Sequence, residues 1–119
     1  MTIETLIAKV QEEKPNSFTD QKLVTFVNEI EAETAEQLGV DAPLYTTDMM
    51  QKDLLVPAPY DRLYVSYVKS QIDYANEEYD SYQNNAAQHV QDFMDFSNWV
   101  VRTNQKVCNR FPVRFMNVF

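Results

Sequence analysis

A single histidine, His89, and a single cysteine, Cys108, bound the chemistry open to this 119-residue chain. One histidine cannot supply a His-paired metal site or a Ser/His/Asp triad. A di-iron helical bundle needs two Glu-x-x-His pairs, and the sequence has none. Asp73, Glu77 and Asp80 recur at helical spacing and could hold a hard cation through oxygen ligands, although a solvated acidic face is the plainer reading of the same residues. Cys108 lies in a basic segment, a setting that favours a thiolate, but no histidine lies nearby in sequence to serve as its base. Tyrosines between residues 60 and 82 could stack on nucleic-acid bases. At helical spacing they read first as core. No enzyme, cofactor or metal is expected.

The elements that position these residues are helical. Only Gly39 is glycine, where average usage of about 7 % would give roughly eight. Tight hairpins and phosphate-cradling loops lean on glycine, so β architectures and nucleotide-binding α/β folds are disfavoured. Ile3, Leu6, Ile7 and Val10 follow the spacing of a first helix that Lys14-Pro15-Asn16 ends. Thr19 or Asp20 can cap a second helix with the stripe Leu23, Phe26, Val27, Ile30 and Leu38, stopped by Gly39 in a left-handed conformation.

Residues 40–57 show no helical period and end on the apolar run Leu54-Leu55-Val56. A loop of that length is either disordered or used. The run can pack over its own helices, or serve as an extended arm against another subunit. Pro59 is well placed as the first residue of a third helix, with Asp61 in its first turn. That helix sets Tyr60, Tyr64, Tyr67, Gln71 and Tyr74 on one face and Arg62, Lys69, Asp73 and Asn76 opposite. Glu78 would fall inside the tyrosine stripe, which predicts a break near Asn76-Glu77, with Asn76 suited to a left-handed turn. A fourth helix from about Glu78 to Asn104 carries Tyr79, Tyr82, Ala86, Val90, Phe93 and Val100 as its stripe and leaves Trp99 on the polar side.

The predicted fold is therefore all-α: short N-terminal helices and a long antiparallel helical hairpin, with a long loop and an extended C-terminal arm. Residues 1–104 form one helical domain and residues 105–119 a basic, aromatic arm. Charge follows the same division. Residues 101–119 hold Arg102, Lys106, Arg110 and Arg114 and no acid, giving +4, while residues 1–100 carry −12 from six bases against eighteen acids. An acidic body argues against phosphate-tracking DNA binding, and a basic aromatic tail suits docking on an acidic neighbour or on its own body. A lone cysteine fits a reducing compartment, the first residues lack a secretory leader, and no run approaches a membrane span. The candidate interface residues are Leu54, Leu55, Val56, Trp99, Arg102, Lys106, Arg110, Phe111, Arg114, Phe115 and Phe119.

Three stretches resemble a known family. Lys14-Pro15-Asn16 followed by Asp20-Gln21-Lys22-Leu23, then Leu54-Leu55-Val56-Pro57-Ala58-Pro59-Tyr60-Asp61, then Gln71-Ile72-Asp73-Tyr74 with Asn76, Tyr82, Asn84 and Arg102-Thr103, together look like the small all-helical head–tail connector (adaptor or neck) proteins of long-tailed bacteriophages and Gram-positive prophages. The similarity covers about residues 8–104, and the apolar-proline stretch is its most specific part. Relatives tend to carry glycine where this chain has Glu77, and the tail after Thr103 has no counterpart. The resemblance implies a virion structural protein, a homo-oligomeric ring of commonly about twelve subunits beneath the portal. Its expected partners are the portal protein and the next head-completion or tail-terminator protein, with DNA only as passing cargo and no membrane. Its expected location is the neck of the virion, after assembly in the host cytoplasm. The alternatives are a small helical regulator that binds protein or DNA, which would want a basic recognition helix, and a carboxylate-bundle metal enzyme, which the missing histidines oppose.

Overall fold

Four helices carry the chain: α1 (Ile3–Glu13), α2 (Asp20–Leu38), α3 (Arg62–Ala75) and α4 (Tyr79–Cys108). The computed structural model describes the backbone of residues 1–108 and the side chains of residues 1–103. Among those residues the regular structure is helical, with a 3-10 turn at Thr47–Met49 and an isolated antiparallel bridge between Thr2 and Asp53 beside the four helices. The expected arm at residues 109–119 lies outside the described residues.

Local chemistry explains the first two helices. Thr2 caps α1 by accepting from the Thr5 N–H, and Thr19 caps α2 by accepting from the Lys22 N–H, each at 3.2 Å. Asn16 builds the corner between them. Its Oδ1 accepts from the Phe18 N–H, and its own N–H donates to Gln11 Oε1. Gly39 ends α2 at φ 73°, where a side chain would be strained, and the Val40 N–H closes the turn on the Ala35 carbonyl.

The apolar stripes of α1 and α2 meet as their spacing predicts. Ile3, Leu6 and Val10 pack with Leu23, Val27 and Ile30 in one core, to which α3 adds Leu63, Tyr64, Val68 and Ile72. Helix α4 lies chiefly along α3 and antiparallel to it: Arg62 meets Asp95, Tyr60 meets Trp99, and Asp73 meets Ser81 and Asn85. Its inward residues are Asp92, Phe96 and Val100, with Phe93 half-buried.

Four local expectations are corrected. Tyr79 and Val90, placed on the inner stripe of the fourth helix, are exposed. Helix α3 starts at Arg62 and not at Pro59, because residues 57–61 first make a turn closed by the Tyr60 N–H on the Pro57 carbonyl. Helix α4 runs on to Cys108, four residues past Asn104, so part of the expected arm is helical. The left-handed residue between α3 and α4 is Glu77, at φ 60°, whereas Asn76 keeps a negative φ.

That last turn is a Schellman-type closure. The Glu78 N–H reaches back to the Asp73 carbonyl and the Glu77 N–H to that of Tyr74. Glu77 holds the position that glycine fills best, and a left-handed conformation costs an L-residue about 1–2 kcal/mol. Glycine's greater freedom in the unfolded chain offsets part of the gain. Glu77→Gly is therefore expected to stabilise the protein by roughly 1 kcal/mol, read as a rise of a few degrees in Tm at unchanged helicity. An unchanged or lower Tm would show that the glutamate is not strained there.

Candidate protein-interaction surface

Two buried polar hubs set the surface. The first is Glu31 on α2, fully buried. Its Oε1 accepts from Thr34 Oγ1 at 2.6 Å and the Tyr64 hydroxyl at 2.5 Å, while Oε2 accepts from the Tyr45 hydroxyl at 2.7 Å and the Leu55 N–H at 3.0 Å. The Tyr64 oxygen in turn accepts from the Val56 N–H at 3.1 Å. Burial, then the neighbouring Glu31 carboxylate, pushes both tyrosine hydroxyls well above the ordinary phenol range, so they remain donors.

The second hub is Asp73 on α3. Lys14 Nζ lies 2.6 Å from its Oδ1, and Ser81 and Asn85 of α4 donate to Oδ2. Burial alone would raise this carboxyl. The Lys14 ammonium and the two donors outweigh burial and hold it below the ordinary carboxylate range. Lys14 is raised in the same pairing by Asp73 and Glu78. Asp73 is thus buried and paired, which corrects both its place on a polar outer face and its grouping with Glu77 and Asp80 as a solvated patch. Among the described residues no cluster of three or more His, Cys, Asp or Glu side chains is arranged to hold a metal ion.

His89 sits between α3 and α4, with Nδ1 3.1 Å from the Leu63 carbonyl oxygen and its ring against Tyr67 and Phe93. Burial lowers its affinity for a proton, against the pull of the Leu63 carbonyl, Glu33 and Asp92.

The candidate interface residues divide. Leu54 and Val56 are buried in their own core, so of the two readings of the run the structure shows the strap over α2 and α3. Leu55 is half-buried and gives its N–H to Glu31. Trp99 is half-buried, stacked on Tyr60 with centroids 5.3 Å apart. Arg102 is exposed and donates to the Tyr60 hydroxyl at 3.3 Å. Lys106 lies within the α4 backbone, with its side chain outside the described residues. Arg110, Phe111, Arg114, Phe115 and Phe119 also lie outside them.

Sequence reasoning missed the apolar side chains that do face water. Among the described residues these form two sets: Val40, Leu44 and Met49 around the end of α2 and the loop after it, and Tyr74, Tyr79, Val90, Met94 and Val101 along α4 and the end of α3. Leu44 is 75 % exposed. The signal for the second set was present in the spacing of Val90, Met94 and Val101, which share one side of a helix.

No family model matches the chain, and no curated protein or solved structure is significantly similar to it. Among the described residues, no helix is long and apolar enough to cross a membrane.

Two measurements test the hubs. Glu31→Gln puts an amide NH2 where donors converge; a hydroxyl can turn, but the Leu55 N–H cannot. The variant is expected to lose about 2 kcal/mol in urea unfolding and to speed amide exchange at Leu55 and Val56. Unchanged stability would show that the carboxylate is dispensable. For His89 the folded state takes up a proton less readily than the unfolded chain, whose ordinary value is 6.5. Its contribution is therefore complete above that value and is lost as pH falls towards the lowered folded one. Tm should decline between pH 7.5 and 5.5, and His89→Gln should flatten that slope. Asp73 contributes in a separate window, since its stabilisation is lost only below 3.8, as pH falls through its lowered folded value.

Proposed function

We propose that this chain is a head–tail connector subunit, a phage virion structural protein that forms a ring under the portal and links the DNA-filled head to the neck or tail. The observation that carries the reading is the division of exposed large apolar side chains, among the described residues, into two sets on different elements. A head-to-tail contact closes into a ring only if each subunit offers two different patches. The Lys14, Leu54–Asp61 and Gln71–Tyr74 stretches that resemble the connector family supply the kind of ring. The −12 carried by residues 1–100 suits a conduit, because an acidic wall gives passing DNA little to hold. The portal protein on one side and the next head-completion or tail-terminator protein on the other are the partners this role requires.

Mixing the purified protein with portal assemblies of the same phage, then sedimenting and imaging them, tests the role. Bound rings and no retention on duplex DNA are expected. Tight, salt-sensitive DNA binding without portal binding would favour a small helical regulator instead.

A further inference from the structure

The two exposed apolar sets differ in their polar surroundings. On α4, at about 100° per residue, Tyr79, Ala87, Val90, Met94 and Val101 fall within an arc of roughly 80°, which they share with the uncharged Gln83 and Ser97. The stripe is about 33 Å long at ~1.5 Å per residue. No fully exposed α4 side chain between Asp80 and Arg102 is charged; amides such as Asn84, Gln91 and Asn98 flank the stripe. Other helices differ: α1 exposes Glu4, Glu12 and Glu13, and α2 exposes Asp20, Glu29, Glu33 and Glu36. The second set, Val40, Leu44 and Met49, is spread along the edge formed by the segment after α2, where Asp41 and Asp48 are also exposed.

We propose that the α4 stripe of one copy packs against the Val40–Leu44–Met49 edge of a second copy, and that this is the contact repeated around the ring. Three pairings of the two sets exist. Edge on edge sets Asp41 and Asp48 against their own counterparts, and like charges repel in a chain of net charge −8. Stripe on stripe closes a dimer and leaves both edges in water. Stripe on edge covers both apolar sets at each contact and places carboxylates opposite side-chain amides that can donate to them. It also leaves one stripe and one edge unused at opposite ends of any open chain of subunits, as a closing ring requires. A footprint of roughly 33 by 10 Å on each partner falls short of the ~1,200 Å² total of a stable standard interface. One contact is therefore weak, and closure on a template completes it.

This contact deepens the ring reading and rests on it, so the test separates the two. Leu44→Cys and Met94→Cys are made singly and together in a Cys108→Ser background; both positions are exposed, and circular dichroism checks that the fold is kept. The singles are oxidised alone and mixed, both as concentrated protein and on portal assemblies whose sedimentation is scored in the same tubes. The expected result is at least ten-fold more 44–94 product in the mixture than either homodimer, and a ladder of oligomers from the double variant. Efficient 94–94 or 44–44 homodimers, or no product in either condition, would overturn the contact. Portal co-sedimentation without the 44–94 product overturns the contact while sparing the connector reading. The 44–94 product without portal binding supports the contact and counts against that reading.

Discussion

A carboxylate that no cation among the described residues pairs with governs this fold. Glu31 is buried among apolar side chains, and taking a charged group out of water costs several kcal/mol unless its lone pairs are met. Four donors meet them, one from the same helix, two from tyrosines on other elements and one from the backbone of Leu55. The arrangement binds residues 40–57 without giving them regular structure. Asn28 brackets Tyr45 by donating to its carbonyl and accepting from its N–H, and Tyr64 receives the Val56 N–H. Further along, the N–H groups of Ile3 and Glu4 reach the carbonyls of Lys52 and Met50. A long segment thereby satisfies its backbone against side chains and a helix start, the accounting that buried peptide groups require.

The second hub acts on direction more than on packing. Helix α3 could run on past Ala75 only by carrying Glu77, Glu78 and Asp80 onward in line. Instead the buried Asp73 collects Lys14 from the end of α1 and Ser81 and Asn85 from the start of α4. These donors lie where they do only if the chain reverses within Asn76–Glu78. Breaking one partner of a buried pair leaves an uncompensated charge, so the reversal and the α1 end are held together. Further down the pair, Arg62 reaches Asp92 at 3.4 Å and Asp95 at 3.2 Å, but Arg62 is largely exposed and contributes little to stability in water.

The sequence made local things legible. The stripes of α1 and α2, the Thr19 cap and the Gly39 stop follow from spacing and side-chain chemistry within a few residues. What spacing could not supply were partners far apart in sequence. Glu31 reads as one more acid on a charged helix until Tyr45, Leu55 and Tyr64 arrive, and Asp73 reads as solvent-facing until Lys14 does. The same limit explains α4. Its Val90 is exposed and its Val100 buried although they lie only about 80° apart on a helical wheel, and a wheel phased on tyrosines merges the two. Phe96 and Asp92, which point inward, show the right phase only once α3 lies against them. For the interface candidates, Leu54 and Val56 looked too apolar for water, which was sound. Cover by its own helices and cover by a neighbour both satisfy that apolarity, and the hydrogen bonds that hold the strap on α2 are what select the first.

Burial of polar groups inside and apolar groups outside are two sides of one constraint. Of the eighteen acids, Glu31, Asp73 and Asp92 are drawn inward, while most of the remainder stay on the surface. An acidic surface keeps copies apart at long range and leaves few places where they can touch without repulsion. The uncharged side of α4 is such a place, and it exists because α4 directs Asp92 and Asp95 towards Arg62 on α3 instead of outward. The pairing of helices within one copy thereby clears charge from the face proposed to meet a second copy. Screening by salt should relax repulsion between the acidic surfaces while leaving an apolar contact intact. Assembly through α4 would then strengthen with ionic strength, opposite to the behaviour of binding driven by ion pairs or by phosphate.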